Sequence, residues 1–136
     1  MILLDEKNAT VQFHEQEAYI EISLTGLQQL PDYQFAYEHA LTYAKIHQVK
    51  KFLLDEIGAE VPKKCRVWLF TAFLPKMVGK MGLELEVVIV RKNKAQLSIG
   101  NHLIKKAFQK LKQVLHIEET EHKEDGKQLL LKEKKI

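Results

Sequence analysis

Cysteine is almost absent from this chain of 136 residues, in which Cys65 is the single example. An intrachain disulfide is therefore impossible, and such cysteine usage is typical of a reducing compartment. An excess of charge of one sign is absent too, because the formal net charge at neutral pH is only +3. Nucleic-acid-binding domains usually carry a stronger basic bias on one face, so we expect no nucleic-acid partner.

Long apolar runs are also missing. The longest nearly apolar stretch, Val67 to Leu74, is interrupted by Thr71 and followed by Pro75. It is far shorter than the roughly 20 residues that cross a bilayer. The N-terminal residues turn acidic at Asp5, without the basic start and the apolar run of a signal peptide. These features predict a cytoplasmic protein without a transmembrane segment.

Signatures of catalysis and metal binding are lacking as well. The sequence has no glycine-rich nucleotide loop and no HExxH motif, and its six histidines include no pair at the i, i+4 spacing of a helical zinc site. We therefore expect no metal, no cofactor and no enzymatic activity. Cys65 lies among Lys63, Lys64 and Arg66 near the start of a predicted helix, which leaves a reactive thiol as an alternative to a buried, inert one.

What the chain does contain is sufficient for one folded domain. Apolar residues make up 46% and charged residues 29%, which are ordinary values for a globular protein. A chain of this length buries roughly two-thirds of the surface that its unfolded form exposes, which allows a proper core. The sequence shows no internal repeat and no linker, so residues 1–136 are predicted to form a single domain.

Alternating residues predict a β-hairpin near the N-terminus. Residues 9–14 and 18–24 place every second side chain on an apolar face, and the polar residues 15–17 join the two runs. The residues expected to point inward are Ala9, Val11, Phe13, Ala18, Ile20, Ile22 and Leu24. Residues 1–4 are predicted to add a short edge strand.

Helical spacing and buried-strand patterns alternate in the middle of the chain. Pro31 opens a predicted helix with one apolar stripe, and residues 50–55 form a short apolar run typical of a buried parallel strand. A second helix is predicted over residues 62–80, where Pro75 should kink or break it. The β-branched residues 85–90 favour another strand.

The C-terminal third predicts one more long helix and a short tail. Ser98 suits the N-cap of a third helix, residues 116–121 favour a weak last strand, and residues 124–134 favour a short polar helix. The core order is β-β-α-β-α-β-α. It predicts an α/β fold with a mixed, mostly parallel sheet and helices packed on that sheet.

Five segments carry a resemblance to a known family. They are the hairpin end Leu24-Thr25-Gly26, the helix after Pro31, the strands Phe52–Asp55 and Leu85–Val90, and Gln96-Leu97-Ser98. With this order of elements the chain resembles the STAS, or SpoIIAA-like, fold, and most of all small bacterial domains described as STAS-like or CRAL-TRIO-like. The resemblance implies a non-enzymatic domain that binds other proteins or regulates them.

One functional feature of that family is not carried over. Its anti-sigma-factor antagonists have a phosphorylatable Ser or Thr at the start of the helix after the third strand. The corresponding residues 56–61 contain no hydroxyl group. A candidate loop site remains at this place, formed by Asp55, Glu56 and Glu60, because α/β folds bind ligands beyond the carboxyl ends of parallel strands.

Helix 62–80 carries two apolar stripes, whereas a helix packed on a sheet needs only one. One stripe consists of Val67, Phe70, Leu74, Met77, Val78 and Met81. The other consists of Cys65, Trp68, Leu69, Ala72 and Phe73. Three coverings are open for the second stripe: the first helix of the same chain, whose Phe35, His39 and Ile46 form a secondary stripe, a second copy of the chain, or a small apolar ligand.

These observations lead to a leading hypothesis and an alternative. The leading hypothesis is a STAS-like protein-interaction or regulatory domain without the phosphorylatable residue, forming a homodimer through helix 62–80 and open to a further protein partner. The alternative is a carrier or sensor of a small, lipid-like apolar ligand held between helix 62–80 and the sheet.

Overall fold

The structure is a computed structural model that describes residues 1–82, 84–91 and 115–131. Within these residues, six strands form one sheet in the order β1-β2-β3-β4-β5-β6. The strands are β1 (Ile2–Glu6), β2 (Ala9–His14), β3 (Tyr19–Leu27), β4 (Lys51–Glu60), β5 (Leu85–Val90) and β6 (Leu115–Thr120). The helices are α1 (Leu30–His47), α2 (Lys63–Trp68), α3 (Leu74–Met81) and α4 (Lys123–Leu131). A π-helical turn, Leu69–Phe73, joins α2 to α3.

The sheet is mixed, which confirms the predicted α/β class. The pairs β1–β2 and β2–β3 are antiparallel, and β3–β4, β4–β5 and β5–β6 are parallel. The predicted edge strand and hairpin are both present. Ala18, expected to point inward, instead lies exposed in the hairpin turn with a positive φ of 57°, because the chain reverses one residue later than the alternation suggests.

Helices cover both faces of the sheet. On one face α1, α2 and α3 share the main core with alternate residues of the central strands, among them Ile20, Phe52 and Val87. On the other face α4 packs over a smaller cluster formed by Tyr19, Leu53, Val88, Val90 and Leu130. The central strands are therefore buried on both sides, as their nearly continuous apolar runs indicate.

Pro75 produces the π-helical turn rather than a break. Proline lacks a backbone N–H, and its ring would clash with the carbonyl four residues earlier in a regular α-helix. The chain widens just before it, so that the N–H of Leu74 donates to the carbonyl of Leu69, five residues back. The helix then continues to Met81 and ends at Gly82. The φ of Gly82 is 63°, in the left-handed region that glycine adopts readily.

The approach of α4 to the sheet is unusually close. A Cβ atom at Gly126 would lie 2.9 Å from Cγ2 of Val90 and 3.2 Å from Cδ1 of Leu53. The backbone of α4 therefore rests directly on the sheet at this residue. Strand β6 and α4 agree with the predicted elements at 116–121 and 124–134, whereas the helix predicted from Ser98 lies outside the described residues. None of the described helices is long and apolar enough to cross a bilayer.

Candidate functional site

The second apolar stripe of helix 62–80 lies largely inside its own chain. Cys65, Leu69 and Phe73 are buried, Trp68 is partly buried, and Ala72 is exposed. The π-helical turn explains this result, because the extra residue in the wide turn keeps residues spaced by four on one side of the helix. Half of the first stripe, Phe70, Leu74 and Met77, lies in the same core. Three of the five residues of the second stripe are thus covered without a second molecule.

Aromatic rings of α1 supply much of that cover. The ring of Trp68 meets those of Tyr33 and Tyr37 edge-on, with centroids 6.0 and 6.1 Å apart, and lies 5.1 Å from the ring of Phe73. Tyr37 also packs edge-on against Phe73 at 5.3 Å. Such tilted and edge-on pairs stabilise beyond the area that they bury.

Among the residues that the structure describes, a small cavity lies between this helix and the sheet. A cavity of about 10 Å³ lies among apolar side chains of α1, α3 and the central strands, including Tyr37, Phe73 and Met77. That volume admits about one water molecule, whereas pockets for small molecules usually measure roughly 300–1,000 Å³. A lipid-like ligand at this place would have to move the helix away from the sheet.

Cys65 does not have the surroundings of a reactive thiol. Its side chain is fully buried. Burial is the largest influence on the pKa of the thiol and raises it, and the positive charge of Lys64 offsets this only in part. Since the thiolate is the reactive species, a raised pKa makes the thiol less nucleophilic at neutral pH.

Asp55, Glu56 and Glu60 do not form a loop site, because β4 continues through all three. Successive side chains of a strand point to opposite faces. Asp55 therefore points toward α4, Glu56 lies on the face covered by α1 and α2, and Glu60 is exposed at the strand end. The three carboxylates share a segment of sequence but no common pocket.

Glu56 is instead the centre of a buried group that we call the ionic cluster: Glu56, Arg66, Arg91 and Glu119. Only 3% of Glu56 and 2% of Arg91 is exposed. Nε of Arg91 donates to Oε1 of Glu56 at 3.0 Å, and Nη1 of Arg66 lies 3.5 Å from the same oxygen. Nη1 of Arg91 lies 3.6 Å from Oε1 of Glu119.

The ionic cluster links four elements at the carboxyl end of the parallel strands. Glu56 belongs to β4, Arg66 to α2 and Glu119 to β6, while Arg91 directly follows β5. The hydroxyl of Tyr33, from α1, donates to Oε2 of Glu56 at 3.4 Å. One carboxylate therefore binds groups from three other segments. A carboxylate enclosed in this way is suited to fixing the fold and poorly placed to accept a proton from a substrate.

The two buried tyrosines stay protonated beside this cluster. Burial, the nearby Tyr37 and the charge of Glu56 raise the pKa of Tyr33 well above its ordinary value. Burial is also the main cause of the raised pKa of Tyr37. Neither phenol is therefore available as a base near neutral pH. Tyr33 serves as a hydrogen-bond donor to Glu56, and Tyr37 serves as a packing group.

A second polar group lies on the opposite face of the sheet. We call it the Glu21 network: His14, Glu21, Ser23, Asp55 and Lys123. The Ser23 hydroxyl donates to Glu21 at 2.8 Å, Nε2 of His14 lies 2.9 Å from the carboxylate, and Nζ of Lys123 lies 2.6 Å from it. Lys123 also lies 3.6 Å from Asp55. This network ties the start of α4 to β3 and β4.

The Glu21 network is expected to make the free energy of unfolding depend on pH. Burial alone would raise the pKa of the Glu21 carboxyl, but hydrogen bonds from Lys123, Ser23 and His14 and the charge of Lys123 bring it below 4.5, its ordinary value. A lowered pKa favours the folded state above the ordinary pKa, and this contribution is lost as pH falls through the lowered value. We expect Glu21→Gln to reduce the free energy of unfolding by about 1–3 kcal/mol at neutral pH.

The difference in free energy of unfolding between wild type and Glu21→Gln should shrink as the pH falls below 4.5. Urea denaturation from neutral pH down to about pH 3 measures it. Glu15→Gln removes the same charge from an exposed position in the adjacent hairpin turn and should leave stability nearly unchanged throughout. A constant difference between wild type and Glu21→Gln at every pH would contradict the assignment.

Apolar side chains remain exposed on α1. Phe35 is 54% and Ile46 is 70% exposed, although both are large and apolar. They belong to one stripe, which we call the outer face of α1: Phe35, His39, Thr42 and Ile46. The rings of Phe35 and His39 lie parallel to within 29°, with centroids 6.0 Å apart. Near this stripe, Met1 and Ile2 of the edge strand are also more than half exposed.

His39 joins the outer face of α1 to strand β1. Its Nε2 lies 2.9 Å from the carbonyl oxygen of Leu3. The pairing of β1 with β2 shifts register between Ile2 and Leu4, which marks a bulge at this point. Bulges and capped carbonyls are means by which proteins prevent a sheet edge from pairing with another strand.

Sequence reasoning missed both polar groups. Glu21 alternates with the core residues Ile20 and Ile22, and this pattern alone indicates a solvated face. The burial of that face depends on α4, which lies about a hundred residues later. Arg91 could have been noted as a charge that directly follows a β-branched strand, but its partner Glu56 is identified only by the parallel pairing of β4 with β5.

Among the described residues, no three His, Cys, Asp or Glu side chains are placed to hold a metal ion. Comparison of the chain with models of known protein families, with curated proteins and with solved structures gives no match in any of the three. Function is therefore inferred from the surfaces and clusters of the chain itself.

Proposed function

We propose that the chain is a non-catalytic, STAS-like protein-interaction or regulatory domain that binds its partner through the outer face of α1. The observation that carries this proposal is the exposure of Phe35 and Ile46 on one stripe of a helix whose other side is fully buried. Complete burial of a large apolar side chain contributes roughly 1.5–3 kcal/mol. A partner that covers both residues would gain a substantial part of its binding free energy from them.

The spacing of the stripe supports a helix-packing role. Phe35, His39, Thr42 and Ile46 follow one another at intervals of four, three and four residues, which is the spacing of a coiled-coil seam. Tyr37 and Ala44 occupy the opposite side of the helix and are buried against the sheet. Phe35, Thr42 and Ile46 therefore point away from the sheet, while His39 lies at the border of the stripe and contacts β1.

The STAS-like arrangement is supported by antiparallel strands that precede parallel ones and by helices in the connections. In this chain Glu56, at the place where that family's antagonists are phosphorylated, is held inside the ionic cluster. We therefore propose no regulation through phosphorylation at Glu56. The outer face of α1 replaces helix 62–80 as the proposed interface, since Cys65, Leu69 and Phe73 are occupied by their own core.

A photo-crosslinking residue placed at Phe35 tests the proposal in the native host. We expect a discrete cross-linked product from position 35, and we expect the additional substitution Ile46→Asp, three turns away on the same stripe, to abolish it. The matched control carries the crosslinker at Ala72, which is exposed on the π-helical turn. A product from position 72 but none from position 35 would overturn the proposal, as would the absence of any product from either position.

A further inference from the structure

We propose that the partner on the outer face of α1 is a second copy of this chain, packed with its own α1 antiparallel about a two-fold axis. This inference rests on the proposed function, because it assigns the occupant of the same surface. A two-fold axis through the middle of the stripe places Phe35 against Ile46 of the partner subunit and His39 against Thr42 of the partner subunit. The two largest apolar residues thus cover each other at both ends of the contact.

The length of the helix suits this contact. At 1.5 Å per residue, Phe35 and Ile46 lie about 16 Å apart along the axis, within an α1 that spans about 27 Å. Both residues thus lie within α1, Phe35 in its second turn and Ile46 in its last turn. His39 and Thr42 lie between them, at the centre of the contact.

Charges beside the stripe select the antiparallel orientation. Glu38 and Lys45 are seven residues apart, so they flank the same side of the seam. In an antiparallel pair Glu38 approaches Lys45 of the partner subunit, and the axis generates this ion pair twice. A parallel pair would instead bring the acidic ends of the two helices together.

Glu38 is positioned for this role within its own subunit. Nζ of Lys76, on α3, lies 2.8 and 2.9 Å from its two carboxylate oxygens. The carboxylate is thereby held at the border of the outer face, where it is still about two-fifths exposed. An exposed carboxylate can accept a second cation without losing the first.

The described edge of the sheet at β1 does not offer an equally good contact. The bulge near Leu3 and the contact of its carbonyl with His39 interrupt the row of free backbone groups. Asp5 and Glu6 add negative charge to the same short strand, and like charges that face each other across strands are destabilising. Two copies therefore meet more favourably through α1 than through continued β-pairing at this edge.

Charge exchange tests the inference with full-length protein in sedimentation velocity experiments. Wild type should sediment with about twice the 15.8 kDa mass of one chain at high micromolar concentration. Glu38→Lys alone and Lys45→Glu alone should each raise the dimer dissociation constant at least about tenfold, because each places like charges together twice. An equimolar mixture of the two variants should dimerise again, since both ion pairs re-form with reversed sign on one side.

Phe35→Glu tests the apolar part of the contact, because it places a charge there. Ala72→Glu on the exposed side of the π-helical turn is its matched control. Phe35→Glu should abolish the dimer, whereas Ala72→Glu should leave it intact. Monomeric wild type, or a mixture of Glu38→Lys and Lys45→Glu that stays monomeric, would overturn the homodimer. The crosslink from position 35 separates the two proposals. A product with the mass of two chains supports both, and a product of any other mass overturns the homodimer while supporting the interaction surface.

Discussion

Glu56→Gln is expected to destabilise the folded chain by about 3–5 kcal/mol, which is a large part of the stability of a domain this size. The reason is the environment of the two arginines. Removal of the carboxylate charge leaves the guanidinium of Arg91, which is 2% exposed, buried beside that of Arg66 without the anion between them. Like charges that are desolvated and close together repel strongly. The neutral amide that replaces the carboxylate offsets neither guanidinium charge.

Urea denaturation followed by circular dichroism measures this effect. Glu60→Gln, an equal change at the exposed end of the same strand, is the control and should alter stability by less than about 0.5 kcal/mol. A combined Glu56→Gln and Arg66→Gln variant should regain part of the loss, because one of the two facing cations is gone. If Glu56→Gln and Glu60→Gln proved equally mild, the ionic cluster could not be the link between strands that its geometry indicates.

Phe73→Ala should reduce the free energy of unfolding by about 3–5 kcal/mol through the loss of a buried ring and the cavity left behind. Phe73 is 3% exposed, packs against Tyr37 and Trp68, and already borders the small cavity near the sheet. The loss should be the same at every protein concentration, because the contacts lie within one subunit. A residue at a dimer interface would instead show a loss that grows with concentration, as the wild type gains stability from association.

Thermal and urea denaturation at two protein concentrations separate these cases. Ala72→Ser is the matched control, since Ala72 directly precedes Phe73 but is exposed, and its substitution should change stability by less than about 0.5 kcal/mol. A mild effect of Phe73→Ala on a dilute sample, together with loss of association, would return the interface to helix 62–80.

The sequence was informative wherever local pattern decides structure. The alternation of residues 9–14 and the β-branched run 85–90 predict strands that the structure contains, and Gly82 ends its helix with the left-handed φ expected of glycine. These features depend on neighbours within a few residues. The same local signals predicted α1 and the apolar stripe that packs on the sheet.

Features that depend on distant residues were not predictable in the same way. The doubled stripe of helix 62–80 was interpreted with the geometry of a straight α-helix, which has 3.6 residues per turn. The π-helical turn at Leu69–Phe73 alters that geometry and places Leu69 and Phe73 in the core beside Phe70 and Leu74. Pro75 was the available signal, but it indicates a disturbance of the helix without specifying a wide turn rather than a kink.

The burial of charged residues in strands was also not predictable from local sequence. Glu56 and Glu60 were assigned to a loop because they follow the apolar run 50–55, at the carboxyl end of a predicted parallel strand. In the structure β4 passes through Gly58, which pairs with Thr25 of β3. Burial of Glu56 requires Arg66 and Arg91, and no local pattern links a carboxylate to cations ten and thirty-five residues away.

Gly126 sets the height at which α4 rests above the sheet. Since Val90 and Leu53 leave no room for even a methyl group there, any side chain would raise the helix. Lys123 and Leu130 sit on either side of this contact, one reaching Glu21 and the other closing the small apolar cluster. A displacement of α4 at Gly126 would therefore move two contacts at once. It would separate the Lys123 ammonium from the Glu21 carboxylate and withdraw Leu130 from the small apolar cluster.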